Sequence, residues 1–346
     1  MQESKFFKSH GVLFRIMGGG KCFLSSIFKK SEVIYRLILW LRLYYYKIRS
    51  CVIPVRLYGV VLYLWKYHRW LNIPPAPSEK NIKEDGFSFD EKLWWLKIYY
   101  HNPLMTVCAD KYAVRDYVKK CGLEDILVEL YGKFNSIQDI DIEMIPSQQF
   151  YLKCNHLSGA NRLCHKSTFV QEREKLNRVF GYYLKNNCYR YGYEWPYKNI
   201  VPCIIAESVL ETDEPYGLLD YKFMCFSGEP KYLFLDIGVA KGDGTHAEEY
   251  FRNIYDMEFM PVDMKETREH YDFTLIPKPL NWDFMIDVCR RLSKPFPHCR
   301  VDLYNIHGRV YFGEMTFFHG SGMNDFKPRE AGIILGNMIP LVSYGK

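Results

Sequence analysis

The sequence predicts an α+β fold, in which helices pack on antiparallel sheets. Paired helical segments alternate with strands that turn back through short polar loops, unlike the strand–helix–strand repeat of a doubly wound parallel sheet. No internal repeat is visible, and the 346 residues are 48% hydrophobic and 25% charged, as in a folded globular protein. The expected helices are 89–100, 109–118, 168–186 and 282–292. The expected strands are 126–131, 149–154, 201–209, 219–225, 230–237 and the two arms of a hairpin at 299–317.

The first 75 residues differ from the rest in charge and aromatic content. They hold 13 Lys or Arg residues against Glu3 and Glu32, a net charge of +11, whereas the whole chain carries +6. The basic character therefore belongs to this N-terminal arm, and the remaining residues are net acidic. The Pro-rich stretch 72–78 predicts the boundary between an arm at 1–75 and a catalytic region at 76–346.

The arm is expected to be helical and to lie at a membrane interface. Its apolar segments 33–46 and 57–65 are rich in Trp and Tyr, and charged residues and Pro54 interrupt them before they reach the roughly 20 residues of a spanning helix. Basic side chains would contact anionic lipid while aromatic rings lie at headgroup depth. Packing of the arm on the catalytic region is the alternative. Nucleic acid is not an expected partner, because no base-reading motif accompanies the charge.

The eleven cysteines are expected to be reduced thiols of a cytoplasmic protein, since none shows Cys-x-x-Cys spacing and no signal peptide is evident. Signature motifs of serine hydrolases, zinc proteases and dinucleotide-binding proteins are not found. Gly18–Lys21 lacks the spacing of a phosphate-binding loop.

The hairpin at 299–317 carries acidic residues where a sheet is normally apolar. A three-residue loop at 306–308 would place Arg300 opposite Glu314. Because side chains alternate along a strand, one face would be polar and the other would face the core. The expected polar face is Arg300, Asp302, Glu314 and Thr316. The expected core face is Val301, Leu303, Tyr311, Met315 and Phe317.

Two carboxylates and a guanidinium on one sheet face suit Mg²⁺ and a polyphosphate. Mg²⁺ takes one or two carboxylates together with phosphate oxygens, and arginine binds phosphate through two N–H groups. An exposed hairpin with a cross-strand ion pair is the alternative interpretation of the same residues.

Two further segments carry polar groups suited to a nucleotide. Lys153 ends a strand, and the turn after it contains Ser158 and Gly159, whose amides can cover phosphates as a flap. Glu207 interrupts a nearly apolar strand, where a carboxylate and exposed backbone can bind adenine and ribose. An ordinary hairpin turn and a solvent-exposed strand end are the alternatives.

Two other positions are candidates for contacts to the reacting groups. Lys222 alternates with Asp220 on the strand before the Ser227–Gly228 turn and is a candidate for a phosphate or acyl-phosphate contact, although a solvated strand lysine is equally consistent. Ser321, between two glycines just beyond the acidic hairpin, is a candidate for positioning a substrate carboxylate with its amides.

Taken in order, these motifs resemble a known family. They are Phe87-Ser-Phe-Asp-Glu-Lys-Leu-Trp-Trp-Leu-Lys97, Ala109-Asp-Lys-Tyr-Ala-Val-Arg115, Leu152-Lys-Cys-Asn-His156, Ala206-Glu207, Asp220-Tyr-Lys-Phe223, Arg300-Val-Asp-Leu-Tyr304 and Gly313-Glu-Met-Thr-Phe317. Over residues 85–325 the chain resembles the TupA-like branch of the ATP-grasp superfamily, which is associated with teichuronopeptide and other bacterial cell-surface polysaccharides.

The resemblance implies an ATP-grasp fold, in which two α+β lobes enclose ATP. The catalytic region would then comprise an N-terminal part at 76–148, a nucleotide-covering lobe at 149–210 and a metal-binding lobe at 211–346. By the same resemblance, Lys111 and Lys153 contact the nucleotide phosphates, Glu207 contacts the adenosine, and Arg300 clamps the γ-phosphate or acyl-phosphate. Asp302 and Glu314 are then Mg²⁺ ligands. Thr316 stands where many ATP-grasp ligases have Asn, which implies a more weakly held second metal.

The function implied is an ATP- and Mg²⁺-dependent carboxylate–amine ligase that forms an amide through an acyl-phosphate. Its expected partners are an amino acid or other amine and a uronic-acid-type sugar or lipid-linked saccharide of a capsule or O-antigen. Its expected location is the bacterial cytoplasm, peripheral on the inner face of the membrane. A glycosyltransferase that holds a metal-bound nucleotide sugar through Asp302 and Glu314 is one alternative. A membrane-bound assembly factor with a vestigial ATP site is another.

Overall fold

The computed structural model describes residues 32–76, 85–239, 247 and 249–342, with side chains from residue 37 onward. The Gly18–Lys21 segment and part of the Pro-rich boundary lie outside these residues. By its internal contacts the chain divides into two units between Ile53 and Pro54. The first unit contains helix α1, Glu32–Val52, and the second contains every other element described.

The second unit begins with a helix that the sequence assigned to the arm. Its helices are α2 Val55–Tyr67, α3 Phe89–Tyr99, α4 Pro103–Ala109, α5 Val114–Lys120, α6 Lys166–Tyr183, α7 Tyr189–Gly192, α8 Trp282–Ser293 and α9 Arg329–Asn337. Its strands are β1 Leu130–Phe134, β2 Gln149–Cys154, β3 Asn161–His165, β4 Ile204–Glu207, β5 Asp220–Phe226, β6 Glu229–Ile237, β7 Phe251–Tyr255, β8 Lys265–Glu266, β9 His298–Ile306, β10 Arg309–Thr316 and β11 Phe326–Lys327.

Two antiparallel sheets form the body of this unit, and the architecture is α+β, as predicted. The first sheet has the order β1-β4-β2-β3, and the second has the order β10-β9-β5-β6-β7. Helix α6 covers the first sheet, where Phe169 packs on Phe150 at 5.7 Å between ring centroids. Helix α8 covers the apolar face of the second sheet through Trp282, which lies 5.3 Å from Phe223. Each sheet thus buries one face in its own core and leaves the other for polar side chains.

Helix α3 fastens distant segments of the body together. Ser88 and Glu91 form a capping box, which confirms the predicted start of this helix. Asp90 accepts hydrogen bonds from the backbone and side chain of Asn324, and Lys92 donates to the carbonyl of Ile339 at 2.7 Å. These polar side chains are buried, so they join segments of the protein by hydrogen bonds and do not form a solvent-exposed helix face.

The predicted helix at 109–118 is interrupted. Helix α4 ends at Ala109 and α5 begins at Val114. The carboxylate of Asp110 accepts from the N–H groups of Tyr112 and Ala113, and this local bonding competes with a continuous helix. The turn so formed carries Lys111.

The register predicted for the acidic hairpin is wrong, although the predicted polar face is right. The turn has two residues, His307 and Gly308, both with positive φ, and not the three-residue loop expected. A bulge at Gly313 then inserts one extra residue. As a result Glu314 lies opposite Asp302, and Arg300 lies opposite Thr316.

The position of the bulge also explains why the predicted core face is wrong at Tyr311. The two-residue turn alone would have shifted the alternation by one position, and the extra residue at Gly313 restores it for Glu314 and Thr316. Between the turn and the bulge the alternation stays shifted, so Phe312 enters the core and Tyr311 does not.

Among the described residues, no single helix is long and apolar enough to cross a membrane. Residues 37–52 and 55–67 meet the length and hydropathy of a spanning segment only when they are taken together.

Candidate active site

Two neighbouring rows of charged side chains cross the polar face of the second sheet. In the first row, Glu314, Asp302 and Lys222 are direct cross-strand partners on β10, β9 and β5. The second row contains Asp220, Asp236 and Arg252, which are direct partners on β5, β6 and β7. Strand alternation therefore brings opposite charges from five strands together on one surface.

Lys222 lies between three carboxylates. Its ammonium group contacts Asp220 and lies 3.0 Å from Asp302 and 3.9 Å from Asp236. Burial alone would lower the pKa of Lys222, but Asp220 and Asp302 together raise it above its ordinary value. Burial raises the pKa of Asp220 to about 6, and its Oδ1 atom is buried without a hydrogen-bond partner. Lys222 is thus a permanently charged group within the site and not a solvated strand lysine.

Arg300 forms a fork on Asp302. Its Nε and Nη2 atoms each lie 2.6 Å from a different carboxylate oxygen of Asp302, and Nη2 also lies 3.3 Å from Glu314. Its Nη1 atom donates to Nδ1 of His319 at 2.8 Å. The planar guanidinium is thereby held in one orientation from several sides.

Glu314 is held entirely by cations and a hydroxyl. Oε1 accepts from Arg300 and from Thr316 at 3.2 Å, and Oε2 lies 3.4 Å from the ammonium of Lys111. Burial alone would raise the pKa of Glu314, but Lys111 and Arg300 lower it to about 2. The carboxylate therefore stays ionised at neutral pH, which is the state that a metal ligand requires.

A second set of buried polar residues forms a chain of contacts that ends at Arg300. We call this chain the circuit, and its members are Asp236, Arg252, Glu266 and His319. Arg252 binds Asp236 through two hydrogen bonds of 2.5 and 2.7 Å and also binds Glu266. Glu266 lies 3.2 Å from Nε2 of His319, whose other nitrogen accepts from Arg300. Burial lowers the pKa of His319, so at neutral pH the ring can accept at Nδ1 and donate at Nε2.

Replacing Glu266 with glutamine is expected to lower the free energy of unfolding by about 3 kcal/mol at pH 7. Burial alone would raise the pKa of Glu266, but His319 and Arg252 lower it from 4.5 to about 2 in the folded state. A depressed carboxyl pKa stabilises the fold above the unfolded-state value, and this contribution disappears as the pH falls through the folded-state value. Urea unfolding over a pH series should therefore show the wild-type and variant curves converging between about pH 4.5 and pH 2. Glu269→Gln, at an exposed neighbouring carboxylate, is the control, and a gap that persisted at pH 2 would contradict the assignment.

The first sheet supplies a separate charged group. Glu207, at the end of β4, lies 2.7 Å from Lys153 and 3.7 Å from Arg115. Its carboxylate is buried, so the predicted need for a partner is met. The pKa of Tyr304 on β9 is raised by Asp220, by burial and by further carboxylates, among them Glu207.

Lys111 links the two sheets. Its ammonium group donates to the carbonyl of Leu157, in the turn after β2, at 3.0 Å and also lies beside Glu314 on β10. Ser158 and Gly159 are the exposed tip of that turn, and Gly159 has a positive φ. Lys111 therefore contacts both the turn that was predicted to cover phosphates and Glu314, a predicted metal ligand.

Ser321 lies apart from the charged rows and is engaged by other side chains. Buried Lys97 donates to the Ser321 carbonyl at 2.9 Å, to its hydroxyl at 3.1 Å and to the carbonyl of Gly192 at 2.7 Å. Ser321 also hydrogen-bonds the carboxyl of Glu194. The structure thus brings Arg300, Lys222, Lys111, Asp302, Glu314 and Thr316 together, whereas Ser321 belongs to an adjoining cluster.

The sequence did not single out several residues of the circuit. Asp236, Arg252 and Glu266 carry no motif. The one available signal was the alternation of polar side chains at positions 220, 222 and 236 with apolar neighbours. The pairing with β7 and β8 could not be read from the sequence, because these strands are short and lie in a polar segment.

The donor set fits a magnesium ion held jointly with a nucleotide. Asp302 and Glu314 are carboxylates that lie opposite each other on neighbouring strands, whereas no group of three or more His, Cys, Asp or Glu side chains in the described part of the chain is arranged to hold a metal alone. Mg²⁺ typically uses one or two carboxylates, and phosphate oxygens and water complete its coordination.

The ten described cysteines are free thiols.

Solved structures with a similar chain course include D-cycloserine synthetase DcsG and D-alanine–D-alanine ligase from Bacillus anthracis. The first is 12% identical with a TM-score of 0.40, and the match covers 68% of this chain and 72% of that one. The second is 13% identical with a TM-score of 0.40, with 69% and 70% covered. No curated protein matches the chain.

The sequence itself matches a family model. The model described as TupA-like ATPgrasp covers residues 91–340, which is well over half of the chain and includes the four-stranded and five-stranded sheets. The protein therefore has the ATP-grasp fold and belongs to the TupA-like ATP-grasp family.

Proposed function

We propose that this protein is an ATP- and Mg²⁺-dependent, ADP-forming carboxylate–amine ligase that attaches an amino acid or other amine to a carboxylated sugar of a bacterial surface polysaccharide. The observation that carries the chemistry is the row of Glu314, Asp302 and Lys222 beside the Arg300 fork. Lys111 connects Glu314 of this row to the flap turn. The sugar acceptor is inferred from the family resemblance alone.

The proposed reaction has two steps. A carboxylate oxygen of the sugar attacks the γ-phosphorus of ATP, a phosphorus–oxygen bond breaks, and ADP leaves with its electron pair. The amine nitrogen then attacks the acyl carbon, phosphate leaves, and the nitrogen loses a proton. Both steps move negative charge among phosphate oxygens, so the protein mainly aligns the groups and neutralises their charge.

Each charged side chain then has a specific task. Lys111 and Lys153 would contact the nucleotide phosphates, with Ser158 and Gly159 covering them, and Glu207 would contact the adenosine. Asp302 and Glu314 would hold Mg²⁺, which when bound neutralises phosphate charge.

Arg300 and Lys222 would bind the transferring phosphoryl group. Ser321 is proposed to position the substrate carboxylate from the adjoining cluster. The enzyme would act in the cytoplasm at the inner face of the membrane, which the basic N-terminal arm supports.

The direct test is nucleotide product analysis with purified full-length protein, ATP and Mg²⁺, a uronic acid and a mixture of amino acids. The proposal expects ADP and phosphate, with release that depends on both the carboxylate and the amine. Hydroxylamine should trap an acyl-phosphate when the amine is withheld. AMP and pyrophosphate as products would contradict the proposal. Thermal stabilisation by a UDP-sugar and none by ATP would favour a glycosyltransferase instead.

Replacing Thr316 with asparagine is expected to lower the Mg²⁺ concentration that gives half-maximal ADP release several-fold. An amide oxygen is a better neutral ligand for a hard cation than a hydroxyl, and Thr316 already donates to the Glu314 carboxylate at 3.2 Å. The measurement is initial rate against Mg²⁺ concentration at saturating ATP. Thr316→Val is the matched control and should raise the requirement. Equal requirements in all three proteins would exclude this position from the metal site.

A further inference from the structure

We infer that helix α2 docks on an anionic lipid bilayer and holds the loop at 319–323 close to the membrane surface. Helix α2 belongs to the catalytic body and not to a separate arm, because Gly59, Leu62 and Tyr63 are buried in the main core. Gly59 lies against the ring of Trp94 on α3, where a Cβ atom would come within 2.7 Å of the ring. The helix is therefore rigidly attached to the body on one side.

The opposite side of α2 is an exposed apolar stripe. It consists of Leu57, Val61 and Trp65, whose spacing of four residues places them along one face of the helix. Their exposed fractions are 54%, 57% and 44%, and Trp70 just beyond the helix is 71% exposed. Large apolar side chains aligned in this way mark a binding surface rather than scattered surface residues.

Helix α1, in the first unit, carries a stripe of the same kind. Its exposed large apolar residues recur at spacings of one, three or four positions and include a stacked pair, Trp40 and Tyr44, at 5.5 Å. They are Leu37, Trp40, Leu41, Tyr44, Tyr45, Ile48 and Val52. Trp and Tyr are the residues that favour the headgroup region of a bilayer.

Charge selects an anionic bilayer as the occupant. Residues 33–78 contain seven Lys or Arg residues and no Asp or Glu. Arg56 on α2 is exposed, and its side chain donates to the carbonyl of Ile73 rather than to a carboxylate. A symmetric contact between two copies of α2 would bring these like charges together, which disfavours a dimer. Anionic headgroups compensate the charge, and the acyl boundary accepts the apolar stripe.

The buried side of α2 connects the membrane surface to the cluster that contains Ser321. Lys66 and Tyr67 donate to the carbonyl of Met323 at 2.9 and 2.6 Å. From α3, Trp94 donates to the next carbonyl back, Gly322, at 2.9 Å, and Lys97 holds Ser321. Three consecutive loop carbonyls are thus held by these two helices.

This arrangement bears on the acceptor substrate. A helix is about 10–12 Å across with its side chains, so the loop would lie roughly one helix diameter from a bilayer contacted by Leu57 and Trp65. A saccharide attached to a membrane lipid could then reach the site, and we infer that the acceptor is lipid-linked. This consequence for the acceptor rests on the proposed ligase function, whereas membrane docking does not.

The test is co-sedimentation of the full-length protein with two kinds of vesicle, one of phosphatidylcholine alone and one of phosphatidylcholine and phosphatidylglycerol in equal amounts. The inference expects binding to the anionic vesicles that weakens as salt is raised. The double variant Leu57→Glu/Trp65→Glu should lower the bound fraction about tenfold. The control Val170→Glu places a charge at a valine on α6 that is 62% exposed and should bind like the wild type.

The remaining outcomes are decisive. Thermal unfolding with and without ATP checks that each variant is folded. Wild-type protein that ignores anionic vesicles at low salt overturns the inference, as does a double variant that binds normally. A stable dimer that the double variant dissociates, without vesicle binding, would show that the stripe is a subunit interface. ADP release without vesicle binding contradicts docking alone, and vesicle binding without ADP release contradicts the ligase proposal alone.

Discussion

Arg300→Lys is expected to lower carboxylate-dependent ADP release about 10²–10³-fold. The arginine makes two parallel hydrogen bonds to Asp302, one to His319 and one to Glu314, and this fork fixes the plane of the guanidinium. A lysine keeps the positive charge but offers a single donor centre, so it cannot hold Asp302 and bind a phosphoryl group with the same geometry. The loss should appear mainly in kcat, because the contact strengthens as charge develops in the transition state.

The control for this variant is Arg290→Lys, which changes an exposed arginine that pairs with Glu229 at 2.9 Å. It should leave both turnover and stability near the wild-type values. Arg300→Lys should remain folded, because Asp302 keeps its contact with Lys222 and His319 keeps its contact with Glu266. Undiminished kcat in the folded Arg300→Lys variant would show that the guanidinium serves the fold and not the reaction.

Glu314→Gln is expected to lower turnover about 10²-fold or more and to raise the Mg²⁺ requirement. The carboxylate is held ionised by Lys111 and Arg300, and it is the cross-strand partner of Asp302. A neutral amide presents one oxygen in place of an anion, so it would weaken the proposed Mg²⁺ site, in which Asp302 is the other carboxylate. The measurement is the rate of ADP release over a range of Mg²⁺ concentrations at fixed ATP.

Glu229→Gln, at the exposed partner of Arg290, is the matched control and should have no effect on the Mg²⁺ requirement. A Glu314→Gln protein with the wild-type Mg²⁺ requirement would remove this residue from the metal site. Wild-type protein that releases no ADP, together with unchanged polysaccharide output in cells carrying Glu314→Gln, would support a vestigial ATP site.

The local pattern of the sequence was sufficient to group the polar side chains within each strand. Alternation put Arg300 with Asp302 on β9 and Glu314 with Thr316 on β10, because side-chain direction along one strand depends on neighbouring residues alone. That both pairs share one face depended on the two-residue turn and the bulge, whose shifts cancel. The start of α3 was equally local, since Ser88 and Glu91 cap each other across one turn.

The partners of those groups depended on tertiary structure. The two-residue turn and the bulge at Gly313 decided that Glu314 faces Asp302. An isolated glycine in a strand can mark a bulge, but the resulting register depends on the pairing with the partner strand. A Cβ atom at Gly313 would lie 3.0 Å from the carbonyl of Asp302 and 3.2 Å from the ring of Tyr304, which leaves little room for a larger residue.

What the sequence by itself determined was the fold class, the family and the alternation of polar and apolar residues along each strand of the acidic hairpin. Only the tertiary structure decided that Lys222 faces Asp302, that Arg252, Glu266 and His319 complete a circuit of charges, and that α2 belongs to the body. The physical reason is the same in each case. Alternation and capping act between near neighbours in the chain, whereas ion pairs across five strands and the packing of a helix depend on contacts between residues far apart in sequence.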